Sequence, residues 1–352
     1  MTKRVTATAP VRTCDCGGWT DTWFARHGAV FHVAVNPGVR VVVDARPAAL
    51  ASAGPVMLHA ENYGDRYAFV PGTRPWGRHP LLEAAVEAAG VPPGMTVEIR
   101  LRSAVPPGAS TGTSAAVCVA LVGALRALRG ESLDPGAVAS DAHAVEVERL
   151  GQQSGLQDQL AAAYGGVNYV EIPNYPASTV RQLAVAGAVL AALEDRLLLV
   201  YLGRTHSSSA IHEQVIRDLT SAGARGHAAL EALRAAAAAA RDAVLAGDFG
   251  ALGAAMRANT DAQRLLHPAL VGSDAQRIIA AARAHGALGW KVNGAGGEGG
   301  SIALLCGAEA GARAAMEASV TAASPSYRLI PTSIARRGLE VLAEDVVDGS
   351  NP

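Results

Sequence analysis

The chain has 352 residues and a formal net charge of −1; 50% of the residues are hydrophobic, 17% charged and 4% aromatic. That length suits two domains better than one, and a charged share below the roughly 25% usual in soluble domains implies a large Ala-, Val- and Leu-rich interior. The near-neutral balance, with no basic run, argues against a nucleic-acid or membrane partner.

Four scattered cysteines, at positions 14, 16, 118 and 306, form no framework and fit a reducing, cytoplasmic setting. The opening MTKRVTATAPVRT lacks the apolar centre of a signal peptide. The most apolar helical stretch, Ala115 to Leu125, is far short of the ~20 residues a membrane span needs.

In chain order, VTATAPVR, AVFHVAV, VRVVVDAR and VEIRLRS are rich in β-branched residues and predict strands. The first runs into CDCGGWTDT, Cys14–Thr22. Its C-x-C has no second Cys or His pair and makes a poor zinc site. Strand alternation puts Cys14 and Cys16 on one face as small core residues. Thr20 and Asp21, after the flexible Gly17 and Gly18, are left as ligands for hydroxyl groups. Trp19 suits either stacking on an apolar sugar face or packing.

VPPGASTGTSAAV, Val105–Val117, ends a strand with Pro and Gly, runs through small residues and opens an apolar helix. Backbone N–H groups at such a helix start make an anion site. Thr113 and Ser114 suit a cap or a cation ligand, and the plain alternative is a turn with an N-cap.

Helices are predicted at Thr113–Arg129 and Pro135–Leu150, and a short one in GLQDQLAAAYGG. Glu146 and Glu148 point to different helical faces, so at most one joins Asp158. A carboxylate pair beside an anion loop is what Mg²⁺ with a nucleotide requires; the alternative is a solvated helix end.

VNYVEIP and RLLLVYLG predict further strands, and from Ile211 onward helices follow one another. His206 and His212 exceed the i, i+4 spacing of a helical metal pair and read as loop and helix-start residues. NGAGGEGG, Asn293–Gly300, matches a dinucleotide glycine pattern, but a strand, SIALLC, follows it instead of a helix, which speaks against that fold. A helix at Ala308–Ala322 and a strand in SYRLIPTSI complete an α+β ordering. The domains are expected at 1–185 and 186–337, with the acidic tail 338–352 disordered.

APVRTCDCGGWTDT, PPGASTGTSAA and VNGAGGEGGS, in this order, together with GLQDQLAAAYGGVNYVEI, resemble the motifs of the GHMP sugar and metabolite kinases. The likeness runs to about residue 335. GGWTDT is similar to the fucokinase branch, and QDQLAAAYGGVN to the D-glycero-D-manno-heptose 7-phosphate kinase branch.

The resemblance implies a two-domain GHMP kinase fold, with an N-terminal ribosomal-protein-S5-like domain and a C-terminal ferredoxin-like domain. It implies ATP and Mg²⁺ as cofactors and a small sugar or sugar phosphate as partner, and it is compatible with a homodimer. Pro107, Gly108, Ala109, Ser110, Gly112, Thr113 and Ser114 would wrap the ATP phosphates, with Ser114 and Glu146 at the metal. Asp158 matches the catalytic aspartate, and Arg12 the basic residue beside the attacking oxygen. Gly18, Thr20 and Asp21, with Gly294, Gly296 and Gly297, would meet the substrate.

The implied reaction is phosphorylation of a sugar hydroxyl, the anomeric one of a heptose or a related sugar. The alternatives are a kinase for a non-sugar alcohol, such as an amino alcohol held by Glu298, and a sensor without turnover.

Overall fold

The computed structural model describes residues 2–48, 56–204, 213–219 and 224–346. The first part contains β1 (Thr2–Cys16), β2 (Gly28–Pro47), β3 (Val56–Ala60), β4 (Asp65–Phe69), α1 (Pro80–Ala89), β5 (Met95–Ser103), α2 (Thr113–Leu128), α3 (Pro135–Ala144), α4 (Gln157–Tyr164), β6 (Val167–Asn174) and β7 (Ala177–Gln182). Then come α5 (Gly187–Arg196), β8 (Leu197–Tyr201), a helical stretch at 213–219, α6 (Ala224–Ala246), α7 (Phe249–Leu266), α8 (Ser273–Ala284), β9 (Gly289–Val292), β10 (Ser301–Leu305), α9 (Ala312–Ala323), β11 (Arg328–Ile330), β12 (Ser333–Ile334) and β13 (Glu340–Val346).

The first sheet has the order β13–β1–β2–β5–β3–β4, with β6 and β12 also on β2 and β7 on β6. Its β3–β5 pair is parallel. The second sheet is β11–β8–β10–β9 and antiparallel throughout.

AVFHVAV and VRVVVDAR are not two strands but the two halves of β2. The first half pairs with β6, the second with β5, and β1 spans both. The β1–β2 register shifts between Ala9 and Val11, opposite Pro37 and Gly38. Proline has no N–H to give the ladder, and a Cβ on Gly38 would sit 2.1 Å from the Ala9 carbonyl oxygen. Beyond it, Val39, Val41, Val43 and Ala45 are buried and Arg40 and Arg46 exposed, the period-two pattern of a sheet with one wet face.

On the dry face lies α2, buried nearly all round as its sequence demands. The apolar core continues through the alanine faces of α6 and α7 to Leu197, Leu199, Ala303 and Leu305 of the second sheet. The other face of that sheet packs Leu198, Val200 and Ile302 against Ile278 of α8 and Met316 and Val320 of α9.

Three further expectations are corrected. SYRLIPTSI is split at Pro331: β11 joins the second sheet, whereas β12 returns to β2 in the first. The tail is not disordered over its first part, because β13 pairs in full with Thr2–Thr8 of β1; residues 347–352 lie outside the described residues, as do His206 and His212. The helix read as Pro135–Leu150 stays α-helical only to Ala144, and Val145–Arg149 then widens into a π turn.

Candidate active site

Strand β1 ends beside the N-terminus of α2. Between them is a cleft of about 350 Å³ lined by the 108–115 loop, the 152–158 segment, Arg12, Asp21, Glu146 and Gly294. It is also bordered by Trp19, Thr22 and Ala295.

The loop reaches helix α2 through Gly108 and Gly112, both at positive φ, and Ser110 takes φ 56° despite its side chain. That left-handed conformation is unfavourable for a non-glycine residue and is held by the surrounding contacts. The first intrahelical bond runs from Ala116 N–H to the Gly112 carbonyl. The N–H groups of Thr113, Ser114 and Ala115 have no acceptor within the helix, and all three residues line the cleft. A Cβ on Gly112 would lie 3.0 Å from Asp158 Cγ, so glycine there lets the carboxylate approach the loop.

Arg12 is 3% exposed. Its Nε donates to Asp158 Oδ1 at 2.8 Å, and Nη1 donates to the Ser110 carbonyl. Asp15 Oδ1 lies 3.8 Å from Nη1. Burial works against the guanidinium charge, but Asp15 and Asp158 outweigh it and hold the pKa above the ordinary arginine value. Arg12 is therefore a permanent cation in a dry place.

Two further carboxylates face the same cleft. Asp21 accepts from the Gln157 N–H at 3.0 Å, and burial pushes its pKa up to about 6, helped by Asp158 and opposed by that N–H. Glu146 sits on the π turn and is buried, while Glu148 on the same turn is exposed. Gln159 Nε2 donates to Glu146 Oε2 at 2.8 Å. Burial raises the Glu146 pKa to about 7, with Asp158 adding and the Ser154 and Gln159 hydrogen bonds subtracting.

The structure thus brings Arg12, Asp21, Gly108, Ala109, Ser110, Gly112, Thr113, Ser114, Glu146, Asp158 and Gly294 to one cleft. It does not bring Gly18, Thr20, Pro107, Gly296 or Gly297 there. Thr20 is fully buried: its hydroxyl donates to the Gly17 carbonyl at 2.7 Å and takes the Ala29 N–H at 3.1 Å, closing the turn. Thr22 borders the cleft, but its hydroxyl donates to the Trp19 carbonyl at 2.7 Å within the same turn.

Gly18 gives room to Asp15 and Gln157, either of which a Cβ would meet at 3.1 Å. Pro107 is exposed away from the cleft. Gly296 and Gly297 pack on Leu270, whose carbonyl oxygen would be 2.2 Å from a Gly296 Cβ. Glu298 points outward, accepting from the Ser273 N–H at 2.8 Å and its hydroxyl at 3.0 Å at the start of α8. Trp19 is a packing residue with an edge on the cleft, 4% exposed among Leu233, Leu266 and Leu270.

Sequence reasoning missed Gln157 and Gln159, which flank Asp158 on α4 and are 7% and 1% exposed. Two glutamines flanking an aspartate at the start of a short helix were the available signal. It also missed Asp15 and Lys291, both fully buried and 3.2 Å apart. The signal there was a lysine within the apolar strand GWKV.

The description "GHMP kinases N terminal domain" fits residues 80–166, and "GHMP kinases C terminal" fits residues 231–321. A D-glycero-alpha-D-manno-heptose 7-phosphate kinase of Campylobacter jejuni is 26% identical over 205 residues, 58% of this chain and 60% of that protein. The match thus spans less than two thirds of that relative. A mevalonate kinase of Thermococcus sibiricus is 30% identical over 272 residues, 76% of this chain and 74% of that protein. The crystal structure of a D-glycero-D-manno-heptose 1-phosphate kinase from Bacteroides thetaiotaomicron shares the fold, with a TM-score of 0.74 at 18% identity over 98% of this chain and 100% of that one. With both family domains matched in order and the two-sheet α+β architecture shared along the whole chain, this protein belongs to the GHMP kinase family.

Proposed function

We propose that the protein transfers the γ-phosphoryl group of ATP to a sugar hydroxyl, the anomeric hydroxyl of a heptose, a heptose 7-phosphate or a related sugar. The observation that carries this reading is the Arg12–Asp158 pair, 2.8 Å apart, set against the free N–H groups that open α2. Phosphoryl transfer asks for positioning and charge neutralisation more than for covalent help, and this pair supplies both at one end of an anion site.

The residues present fit a magnesium nucleotide. Glu146 is a buried carboxylate whose charged form has no cation paired with it among the described residues. Gln157 and Gln159 each keep a buried side-chain oxygen without a hydrogen-bond donor. Ser114 and Glu146 would hold Mg²⁺, which when bound supplies positive charge to the phosphate oxygens.

The N–H groups of residues 113–115 hold the phosphates. Asp158 accepts the hydrogen bond of the acceptor hydroxyl and takes its proton as that oxygen bonds to the γ-phosphorus and the bond from that phosphorus to the departing ADP oxygen breaks. Arg12 keeps Asp158 oriented and stabilises the charge that grows on the attacking oxygen. Asp21 receives another of the acceptor's hydroxyls. The unpaired, buried state of all four cysteines supports a reducing, cytoplasmic setting, and among the described residues no helix is long and apolar enough to cross a membrane.

A second reading, a kinase for a non-sugar alcohol, is supported by the 30% identity to a mevalonate kinase. Glu298 no longer supports it, because that carboxylate faces away from the cleft.

The test is ADP release from Mg-ATP with free heptoses, heptose 7-phosphates, fucose, galactose, mevalonate and amino alcohols as acceptors. Asp158→Asn is the control, expected to keep ATP binding and to lose ~10²–10⁴-fold in turnover. Release that depends on a heptose and disappears in the variant supports the first reading. Release with mevalonate or an amino alcohol alone supports the second. Unchanged turnover in Asp158→Asn removes that residue from the mechanism.

A further inference from the structure

Asp15 and Lys291 are completely buried, and the chemistry above gives neither a task. A lysine is seldom taken fully out of water unless paired, and an unpaired buried charge is strongly unfavourable. Asp15 lies near the end of β1 in the first sheet, and Lys291 on β9, an edge strand of the second. Lys291 Nζ donates to Asp15 Oδ1 at 3.2 Å and to the Val292 carbonyl.

The same Asp15 Oδ1 lies 3.8 Å from Arg12 Nη1, and on the other side of the guanidinium Nε meets Asp158 at 2.8 Å. From the cleft inward the charges alternate: Asp158 negative, Arg12 positive, Asp15 negative, Lys291 positive. Asp15 Oδ2 also accepts the Gly294 N–H at 2.9 Å. Gly294 stands so close to Arg12 that a Cβ on it would be 3.3 Å from Nη2.

We propose that Asp15 and Lys291 are positioning residues for Arg12, through which the second sheet sets the orientation of the arginine; the inference rests on the kinase reading of the cleft. The distances assign the parts. Asp15 is nearer to Lys291 than to Arg12, so it attracts the guanidinium from behind without drawing it off Asp158 and the Ser110 carbonyl. Lys291 neutralises Asp15 and keeps it from becoming a competing partner for Arg12. The bond to Gly294 fixes the 293–300 loop to the same carboxylate, so a displacement of that loop reaches the arginine.

Asp15→Asn keeps an oxygen for the Gly294 N–H and removes the charge. Lys291→Met keeps the length and removes the charge, and a third variant carries both changes. ADP release gives kcat and KM for ATP and acceptor. The Arg12 Nε–H, identified as the arginine signal lost in Arg12→Lys, is followed by ¹H–¹⁵N NMR.

Each single substitution is expected to lower kcat ~10–100-fold, as a misplaced catalytic group does, with KM for ATP changed less than ~3-fold, and to shift or broaden the Arg12 signal. The double variant leaves no unpaired charge, and its kcat is expected to exceed that of Asp15→Asn by at least ~5-fold, the signature of coupled residues. If Asp15→Asn does not fold, Lys291→Met and the double variant carry the test.

Wild-type kcat and an unmoved Arg12 signal in the single variants overturn the inference, even if their melting temperatures fall. A strictly additive loss in the double variant also overturns it. If the wild type turns over no acceptor, the kinase reading fails, and the Arg12 signal alone decides: moved in the single variants and restored in the double supports the positioning role, and unmoved removes it.

Discussion

Asp21 joins burial to chemistry in one side chain. Its carboxyl is 2% exposed, and its pKa rises from 3.8 to about 6, first through burial and then through Asp158. The fold therefore favours the neutral acid. Asp21 adds stability at low pH, and that contribution disappears as pH rises through about 6. Asparagine imitates the neutral form, so Asp21→Asn should gain on the wild type in ligand-free melting between about pH 4 and 7, by up to ~3 kcal/mol. The same substitution should raise KM for the acceptor. A melting difference that stays flat over that range removes burial as the cause. Asp21 was legible in sequence as a carboxylate after a double glycine. That the Thr20 and Thr22 hydroxyls fasten the turn, to the Gly17 and Trp19 carbonyls, was not, because the partners of a hydroxyl are decided only by the path of the loop.

At the scale of elements, the helix start at α2 and the π turn before α4 place the site. The run of small residues announced the first. The second has no sequence signature, since a π turn arises where packing demands one extra residue, and the buried Glu146 lies on it. Glu298 is the opposite case. It interrupts a glycine-rich run and suggested a ligand for an amine, but it takes up the first-turn N–H of α8, where a carboxylate also meets the helix dipole favourably. Glu298→Ala should cost ~0.5–2 kcal/mol in stability, the usual loss for a removed cap, and leave the preference between amine-bearing and neutral acceptors unchanged. A changed preference, measured as a ratio of kcat/KM values, would return Glu298 to the site.

At the scale of the whole molecule, the chain closes on itself. After Pro331 it leaves the second sheet and returns to the first, where β12 pairs with β2 and β13 covers β1. Leu339 fits into the space left by Gly123 on α2, and its N–H donates to the Ala163 carbonyl at 3.1 Å. A chain ended at Gly338 should lose at least ~2 kcal/mol, the worth of one large apolar side chain, and aggregate more readily through the uncovered edge of β1. Thermal melting and light scattering of the shortened chain check this, and unchanged values would show that the tail is an appendage.

The sequence by itself determined the valine-rich strand character of β2, the apolar α2, the anion-binding start of that helix and the carboxylates around it. These follow from local pattern, which each segment carries whatever its neighbours do. Tertiary structure alone decided that one strand serves two partners, that an acidic tail is a strand, and that Asp15 and Lys291, 276 positions apart, share one buried hydrogen bond. Long-range pairing depends on which surfaces meet. A charged residue reads as exposed until another chain segment brings its counterion into the core.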